Sequence, residues 1–422
     1  MLLYNLLLLI VYPLLYVVSR LHSRLRINFD LRKNLPDFSA AQGKTHIWFH
    51  AASAGEFEQV RAVALSMRQK HKNLFFSFSY FSDSTYRTRK GDAVPDVLFA
   101  LPFDFPWRMR NLVARMQPHA LIIAKYDAWP NQVRAAASAG VPVYLVSATL
   151  PAASRRHRFP LRYFLRSTYA AMRTIFAVNA EHAQRLRAIS SANVQISGDT
   201  RFDAIAARLR ENRDKAKQLT AITAGTRNAV TIVAGSTYAP SEEMLVTYVA
   251  EKKIVAGKKL KLVLAPHHLK PQNLDRLESR CLALGLKSVR LSNLSRESWD
   301  VCIIDGFGFL AYLYPLCDLA YVGGGFEGSV HSVIEAAVAG VPVITGPAIA
   351  NSAEALELHS LQLLQILPAP DAAAFAGCVD YVWKNRTAIG KKTAAYFRER
   401  LGVSNEIMHT VMDDISEKKE RV

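Results

Sequence analysis

The chain has 422 residues, half of them apolar, and a formal net charge of +18 from 53 Lys and Arg against 35 Asp and Glu. That length exceeds one ordinary hydrophobic core and fits about two domains, and the composition excludes a long disordered region. The positive charge calls for an anionic partner. It is not read as nucleic acid, because no zinc-finger spacing, RNP-type aromatic motif or convincing helix-turn-helix occurs.

Leu2 to Val18 is almost wholly apolar, interrupted by Asn5, tyrosines and Pro13. Nothing basic precedes the run, but Arg20, Arg24, Arg26, Arg32 and Lys33 follow it. A cleaved signal would show the opposite order. Residues 1–19 are therefore expected to be a membrane anchor, with the body on the cytoplasmic side by the positive-inside rule; a buried core helix is the alternative. A second basic stretch, Arg155, Arg156, His157, Arg158, Arg162 and Arg166, is interleaved with Phe159, Leu161, Tyr163, Phe164 and Leu165. It suits an anionic bilayer surface, or else an ordinary solvated helix face.

Apolar β-type runs then alternate with helical stretches. The spacing predicts strands over Ile47–Ala51, Leu74–Phe78, Val97–Leu101, Ala120–Ala124, Val143–Val146 and Thr174–Val178. A second series covers Thr231–Ala234, Lys261–Ala265, Val301–Ile304, Leu319–Val322 and Val341–Thr345. Continuous apolar strands separated by helices indicate parallel sheets covered on both faces. The fold class is α/β, with two Rossmann-like doubly wound domains, residues 20–225 and 226–422, facing a cleft at the carboxyl ends of their strands. Ala204–Asn228 reads as a helix plus linker, and the segment from Asp371 onward as helices of the second domain. Cys281, Cys302, Cys317 and Cys378 form no CxxC pair. They indicate a reducing compartment rather than disulfides or zinc, with Cys302 and Cys317 as buried thiols.

Four motifs sit where chemistry is expected. Ser53, Gly55 and Glu56 occupy a small-residue turn between a strand and a helix; Glu56 can take a proton from an attacking hydroxyl or merely close a capping box with Ser53. Glu58 reads as a solvated helix residue. Lys125 and Asp127 stand at a strand end, as ligand-binding groups or as an internal ion pair. Pro266, His267 and His268 follow another strand; adjacent histidines make a poor chelating pair but can donate to a phosphate or carboxylate. Gly323, Gly324 and Gly325 lead through His331 and Ser332 to Glu335, a glycine-rich turn suited to phosphate. There Glu335 either holds ribose hydroxyls or caps a helix with Ser332. No HExxH is present, so zinc is not expected, and neither a catalytic triad signature nor a DxD pair occurs.

In order along the chain, "HAASAGE", "KYDAWPN", "GDTRFD", "AGSTY", "APHH", "VGGGF", "HSVIEAAVAGVPVITGP" and "NSAEALEL" resemble the Kdo (3-deoxy-manno-octulosonate) transferases, which are GT-B glycosyltransferases. The resemblance covers nearly the whole chain. It implies transfer of Kdo from CMP-Kdo to a lipid A precursor, without a metal or other cofactor, at the cytoplasmic face of the inner membrane with its anionic lipids. It also implies that Glu56 is the base and that Pro266, His267, His268, Gly306, Phe307, Gly308, His331, Ser332 and Glu335 lie at CMP-binding positions, beside Gly324 and Gly325. Lys125 is a candidate for the sugar carboxylate. Lys125 and Asp127 stand where the family often has two glutamates in "ETELWPN", His267 or His268 replaces the usual donor-loop Arg, and Ser332 replaces Asn. Alternative readings are a GT-B enzyme using a UDP-sugar and a non-catalytic, membrane-tethered binding protein of this fold.

Overall fold

A computed structural model of the chain describes residues 1–211, 219–294 and 298–420. These form two compact units, one of Met1–Ala204 with Arg400–Val422 and one of Ile205–Glu399. The first holds a seven-stranded parallel sheet in the order β3-β2-β1-β4-β5-β6-β7. Its strands are β1 (Thr45–Ala51), β2 (Leu74–Tyr80), β3 (Val97–Ala100), β4 (Ala120–Ala124), β5 (Val143–Ala148), β6 (Thr174–Ala177) and β7 (Asn193–Ile196). The second unit holds β8 (Ala229–Thr237), β9 (Ile254–Val255), β10 (Lys258–Pro266), β11 (Ser288–Arg290), β12 (Val301–Ile303), β13 (Leu319–Val322), β14 (Val343–Thr345) and β15 (Leu364–Ile366). Their order is β11-β12-β10-β8-β13-β14-β15, parallel throughout, with β9 antiparallel on β10.

The two doubly wound sheets match the expected fold class. In each, the first strand lies between two later ones, β1 between β2 and β4 and β8 between β10 and β13, so the winding reverses beside it: between β1 and β4, and between β8 and β13. Crevices at the carboxyl ends of strands form at such switch points. The eleven expected strands are all present. The four that sequence missed are β7, β11 and β15, which are sheet edges, and β9, which hangs on β10 outside the main order. Edge strands have less apolar surface to bury, so their apolar signal is weak.

The domain limits differ from the sequence reading. The break comes at Ala204, not residue 225, and the last helix, Val403–Glu420, belongs to the first unit. Its Ile407, Met408, Val411 and Ile415 join the core cluster that contains Phe57, Val60 and Met67 of the helix Ala54–Lys70. Tyr144 donates to Asp414 at 2.6 Å, and Arg173 pairs with the same carboxylate at 2.9 Å. Asp203 accepts from the backbone N–H groups of Gly402 and Ser404, at 2.7 and 2.6 Å. A helix so far along the chain gives no local sign of which sheet it covers. Of the expected helix and linker over Ala204–Asn228, the structure describes the end of the helix Arg201–Glu211 and a short helix, Thr220–Thr226. Residues 212–218 lie outside the described residues.

The helix Leu2–Leu21 is long and apolar enough to cross a membrane, with mean hydropathy 2.1 and little of it buried. Leu3, Leu7, Ile10, Leu14, Val17 and Leu21 are all exposed, and their spacing of three and four residues places them on one face. The other face meets the first unit. Tyr4 donates to Asp104 at 2.9 Å, Asn131 donates to Asn5 at 2.8 Å, and the Tyr12 ring packs against Phe29, Phe103 and Phe105. The core-helix alternative does not fit this exposure.

The Asp203 carboxylate and the buried residues of the last helix make a direct test. Asp203→Ala should lower stability by about 1 kcal/mol through loss of helix capping, and Ile407→Ala by about 2–5 kcal/mol, both measured by denaturant unfolding. Equal stability in Ile407→Ala would show that this helix does not belong to the core of the first unit.

Candidate functional site

Most of the expected site residues fall into two groups, one at the switch point of each sheet; Gly306, Phe307 and Gly308 instead follow β12, two strands away from β8. In the first unit, β1 ends at Ala51 and Ser53 caps the helix Ala54–Lys70. The capping box is present: Ser53 Oγ accepts from Glu56 N at 3.4 Å, and Glu56 Oε2 accepts from Ala52 N at 3.0 Å and Ser53 N at 3.2 Å. Both Glu56 contacts fall on Oε2, so the cap does not use its other oxygen. An added Cβ at Gly55 would meet nothing within 4 Å, so space lies open beside the turn.

Asp127 stands near Glu56 at the end of β4. His50, fully buried on β1, reaches Asp127 Oδ2 through Nε2 at 2.9 Å and Ser79 Oγ through Nδ1 at 2.9 Å. Trp129 Nε1 also donates to Asp127, at 3.2 Å. The internal-pair reading of this motif is thus corrected in its partner: Asp127 pairs with His50. Lys125 has φ +59°, a strained conformation for a side chain with a Cβ, and its N–H donates to Val146 O at 2.7 Å. Lys125 Nζ lies 5.3 Å from the centre of the Tyr126 ring, and the Arg156 guanidinium lies 4.2 Å from it. Arg156 therefore turns inward, while Arg155, Arg158, Arg162 and Arg166 remain exposed with Phe159, Leu161 and Tyr163. Leu165 packs on the core, and the side chains of His157 and Phe164 lie outside the described residues.

Burial pushes the Glu56 carboxyl above its ordinary range, and the charge of Asp127 adds to it; Lys125 and the two capping amides oppose the shift. Burial pushes Asp127 the same way, but the hydrogen bond and charge of His50, the Trp129 hydrogen bond and Arg156 outweigh it, so this carboxyl is held low. Two neighbouring carboxyls are thereby driven apart, the pattern that separates an ionised group from a proton acceptor. Glu58, expected to be solvated, is instead buried and ion-paired with Arg89, because the helix Asp83–Arg89 packs on the helix that carries it.

In the second unit, Gly323, Gly324 and Gly325 follow β13. A Cβ on Gly323 would stand 2.1 Å from Ser236 O, and Gly324 has φ +91°. Here β8 and β13 run out side by side and only bare backbone fits. His331 Nε2 lies 3.0 Å from Tyr238 Oη. The His267 ring stacks at 4.8 Å on Tyr238 and at 4.7 Å on His331, and His268 meets His267 edge-on at 4.8 Å. Burial pushes His267 and His331 below the ordinary imidazole range, with His268 and His267 respectively adding to it. They stand as neutral hydrogen-bonding rings.

Pro266 ends β10 just before these histidines. Gly306, Phe307 and Gly308 follow β12, with Phe307 exposed. Ser332 is exposed and does not cap: the helix Ile334–Val338 has Val333 at its N-cap and no side-chain cap bond. The capping alternative for Glu335 is therefore overturned; Glu335 pairs with Arg208 at 2.9 Å. Sequence reasoning missed His50, Ser79, Tyr238 and Arg208 as members of these groups. His50 and Tyr238 lie inside quoted motifs, whereas Ser79 and Arg208 carry no local signal. Cys302 is buried and its thiol pushed up to about 12; Cys317 is half-buried as a residue, and burial pushes its thiol up as well. Among the described residues no group of three or more His, Cys, Asp or Glu could hold a metal ion.

The profile of the 3-deoxy-D-manno-octulosonic-acid transferase (kdotransferase) family matches residues 22–204. The 3-deoxy-D-manno-octulosonic acid transferase of Bordetella pertussis is 28% identical over 346 residues, covering 77% of this chain and 76% of that protein. The enzyme of the same name from Aquifex aeolicus is 28% identical over 320 residues, covering 75% and 80%. Among solved structures, the UDP-GlcNAc 2-epimerase of Neisseria meningitidis superposes with TM-score 0.63 at 14% identity, covering 87% of this chain and all of that one. A putative UDP-N-acetylglucosamine 2-epimerase from Listeria monocytogenes gives TM-score 0.59 at 13% identity, covering 89% and 98%. These structures share the fold alone.

The glycine turn makes its own prediction. Gly323→Ala should cost about 2 kcal/mol or more in denaturant unfolding, since the new methyl meets backbone that cannot move aside. Gly55→Ala, with open space at the same test atom, should be close to neutral in stability.

Proposed function

We propose, from the chain's similarity to the Kdo transferase family of glycosyltransferases, that it transfers Kdo from CMP-Kdo to a lipid A precursor in lipopolysaccharide synthesis. The observation that carries the mechanism is the carboxyl pair at the end of β1 and β4. Glu56 is biased toward holding a proton while Asp127 is biased toward charge, so Glu56 is the better placed of the two to act as base. It takes the proton of the acceptor hydroxyl. The hydroxyl oxygen forms a bond to the anomeric carbon of Kdo as the bond from that carbon to the phosphate oxygen breaks. The electron pair leaves with CMP, and the anomeric configuration inverts.

The second unit supports the donor side. The amides of Gly324 and Gly325, the neutral rings of His267 and His331, and the His268 ring can donate hydrogen bonds to a leaving phosphate. Glu335 is assigned to the ribose hydroxyls; it would share its carboxylate between them and Arg208. Lys125 is assigned to the sugar's own carboxylate. The exposed leucine face of Leu2–Leu21 and the exposed arginines around Phe159 and Tyr163 suit the cytoplasmic face of an inner membrane with anionic lipids. No metal or other cofactor is assigned a part in the transfer.

Glu56→Gln should keep the fold and lower turnover by about 100-fold or more, measured as mass gain of a tetra-acylated lipid A precursor in a CMP-Kdo generating system. A near wild-type rate would leave Glu56 only its capping role. CMP should compete with the donor better than UDP; the reverse order would point to a UDP-sugar. A protein without the first 19 residues should remain folded but lose activity on acceptor in vesicles, because the helix raises the enzyme's effective concentration at the surface. Unchanged vesicle activity would remove the anchor reading.

A further inference from the structure

We propose that His50 is a positioning residue: it fixes the Asp127 carboxylate beside Glu56, and this pair sets the pH range in which Glu56 works. The inference rests on the reading of Glu56 as base and adds a residue to it. His50 is fully buried, so it cannot touch substrate and must act through its neighbours. Among the described residues its hydrogen-bond partners are Ser79 and Asp127.

The hydrogen-bond inventory decides what His50 does. Ser79 Oγ already receives the Trp48 Nε1–H at 2.8 Å and lies 3.3 Å from Phe49 O. A serine hydroxyl has one proton to give. If it goes to Phe49 O, both ring nitrogens of His50 donate and the ring is cationic. If it goes to His50 Nδ1, the ring is neutral with its proton on Nε2. In both cases Nε2–H donates to Asp127. The remaining tautomer would set a bare nitrogen lone pair against the carboxylate. The buried chain Trp48–Ser79–His50 thus ends in a donor aimed at Asp127. His50 and Ser79 are register partners on β1 and β2, which holds that donor rigidly.

Other charges face the pair and must be counted. Glu56 faces Asp127 from the helix Ala54–Lys70, and Lys125 acts on Glu56 from the loop that carries Asp127. Arg156 acts on Asp127 from the turn Arg155–His157, and Trp129 donates to it. Asp104 lies within the field of His50. Of these, only His50 and Trp129 hydrogen-bond Asp127 directly among the described residues. Without His50, burial works against the Asp127 charge with less opposition. The two carboxyls then retain one shared proton to higher pH, and the form with Glu56 free to accept a proton appears later on the pH scale. Without the Asp127 charge, Glu56 is no longer repelled and ionises earlier.

The test is the acid limb of kcat/KM against pH for the full chain, with the CMP-Kdo generating system and tetra-acylated acceptor. His50→Phe should move the limb up by about one pH unit. His50→Gln, which keeps a donor but never a charge, should move it less and recover most of the plateau rate. Asp127→Asn should move the limb down. In the double variant His50→Phe, Asp127→Asn, the His50 change should add no further shift. A drop in rate at every pH with the limb fixed in His50→Gln, or an equal His50 shift on the Asp127→Asn background, would make His50 a packing residue and overturn the proposal. If Glu56→Gln retains both rate and limb, the base itself is misassigned and the proposal falls with it. An inactive Glu56→Gln with no limb shift in the His50 variants removes the His50 inference alone.

Discussion

The structure depends on a constraint of buried parallel strands: each must end by giving its last backbone groups to neighbours on both sides and then turning away. Where the winding of the sheet reverses, the strands on either side turn away to opposite faces, and a crevice is left. In the first unit that reversal lies between β1 and β4, and the candidate residues His50, Glu56, Lys125 and Asp127 all come from the ends of those two strands. In the second it lies between β8 and β13, whose ends carry Tyr238 and Gly323–Gly325. Each group of candidate residues is located by this geometry before any side chain is chosen.

The side chains then divide the electrostatic work. The first unit gathers two carboxyls with unequal support: among the described residues Asp127 takes side-chain hydrogen bonds from His50 and Trp129, whereas Glu56 has the amides of its own helix start. A helix N-terminus stabilises a carboxylate only in part when the group is buried, so Glu56 keeps a raised affinity for a proton. Being a cap and being a base are not exclusive; one Glu56 oxygen holds the turn, and the cap fixes where the other stands. The second unit uses uncharged donors, bare amides and stacked imidazoles, which suit an anion without adding a buried fixed charge.

Both chain ends converge on the first unit. The N-terminal helix hydrogen-bonds through Tyr4 to Asp104, which also accepts from Asn131 N and Gln132 N at the start of the helix Pro130–Ser138. That helix follows the loop bearing Lys125 and Asp127. The C-terminal helix covers the opposite side of the chain's history, packing on the helix that Glu56 begins. The two elements that flank the carboxyl pair in sequence are thus braced by segments about 130 and 350 residues away in the chain, and such non-local bracing gives a site its rigidity.

The sequence by itself determined the alternation of apolar strands and helices, hence two doubly wound sheets, because strands buried on both faces must read as continuous apolar runs. It also determined the capping box at Ser53–Glu56 and the glycine turn after β13, since both are set by residues adjacent in the chain. What it left open was decided by the tertiary structure. Edge strands such as β7 and β15 are legible only once a neighbour pairs with them. The home of the last helix depends on a core 350 residues away, and Glu335 finds Arg208 rather than Ser332. Asp127 read equally as ligand-binding or ion-paired until β1 placed His50 against it. Local signals report what a segment can form; only the folded chain sets the partners, because a buried charge or hydrogen bond is settled by what lies across the sheet, not along it.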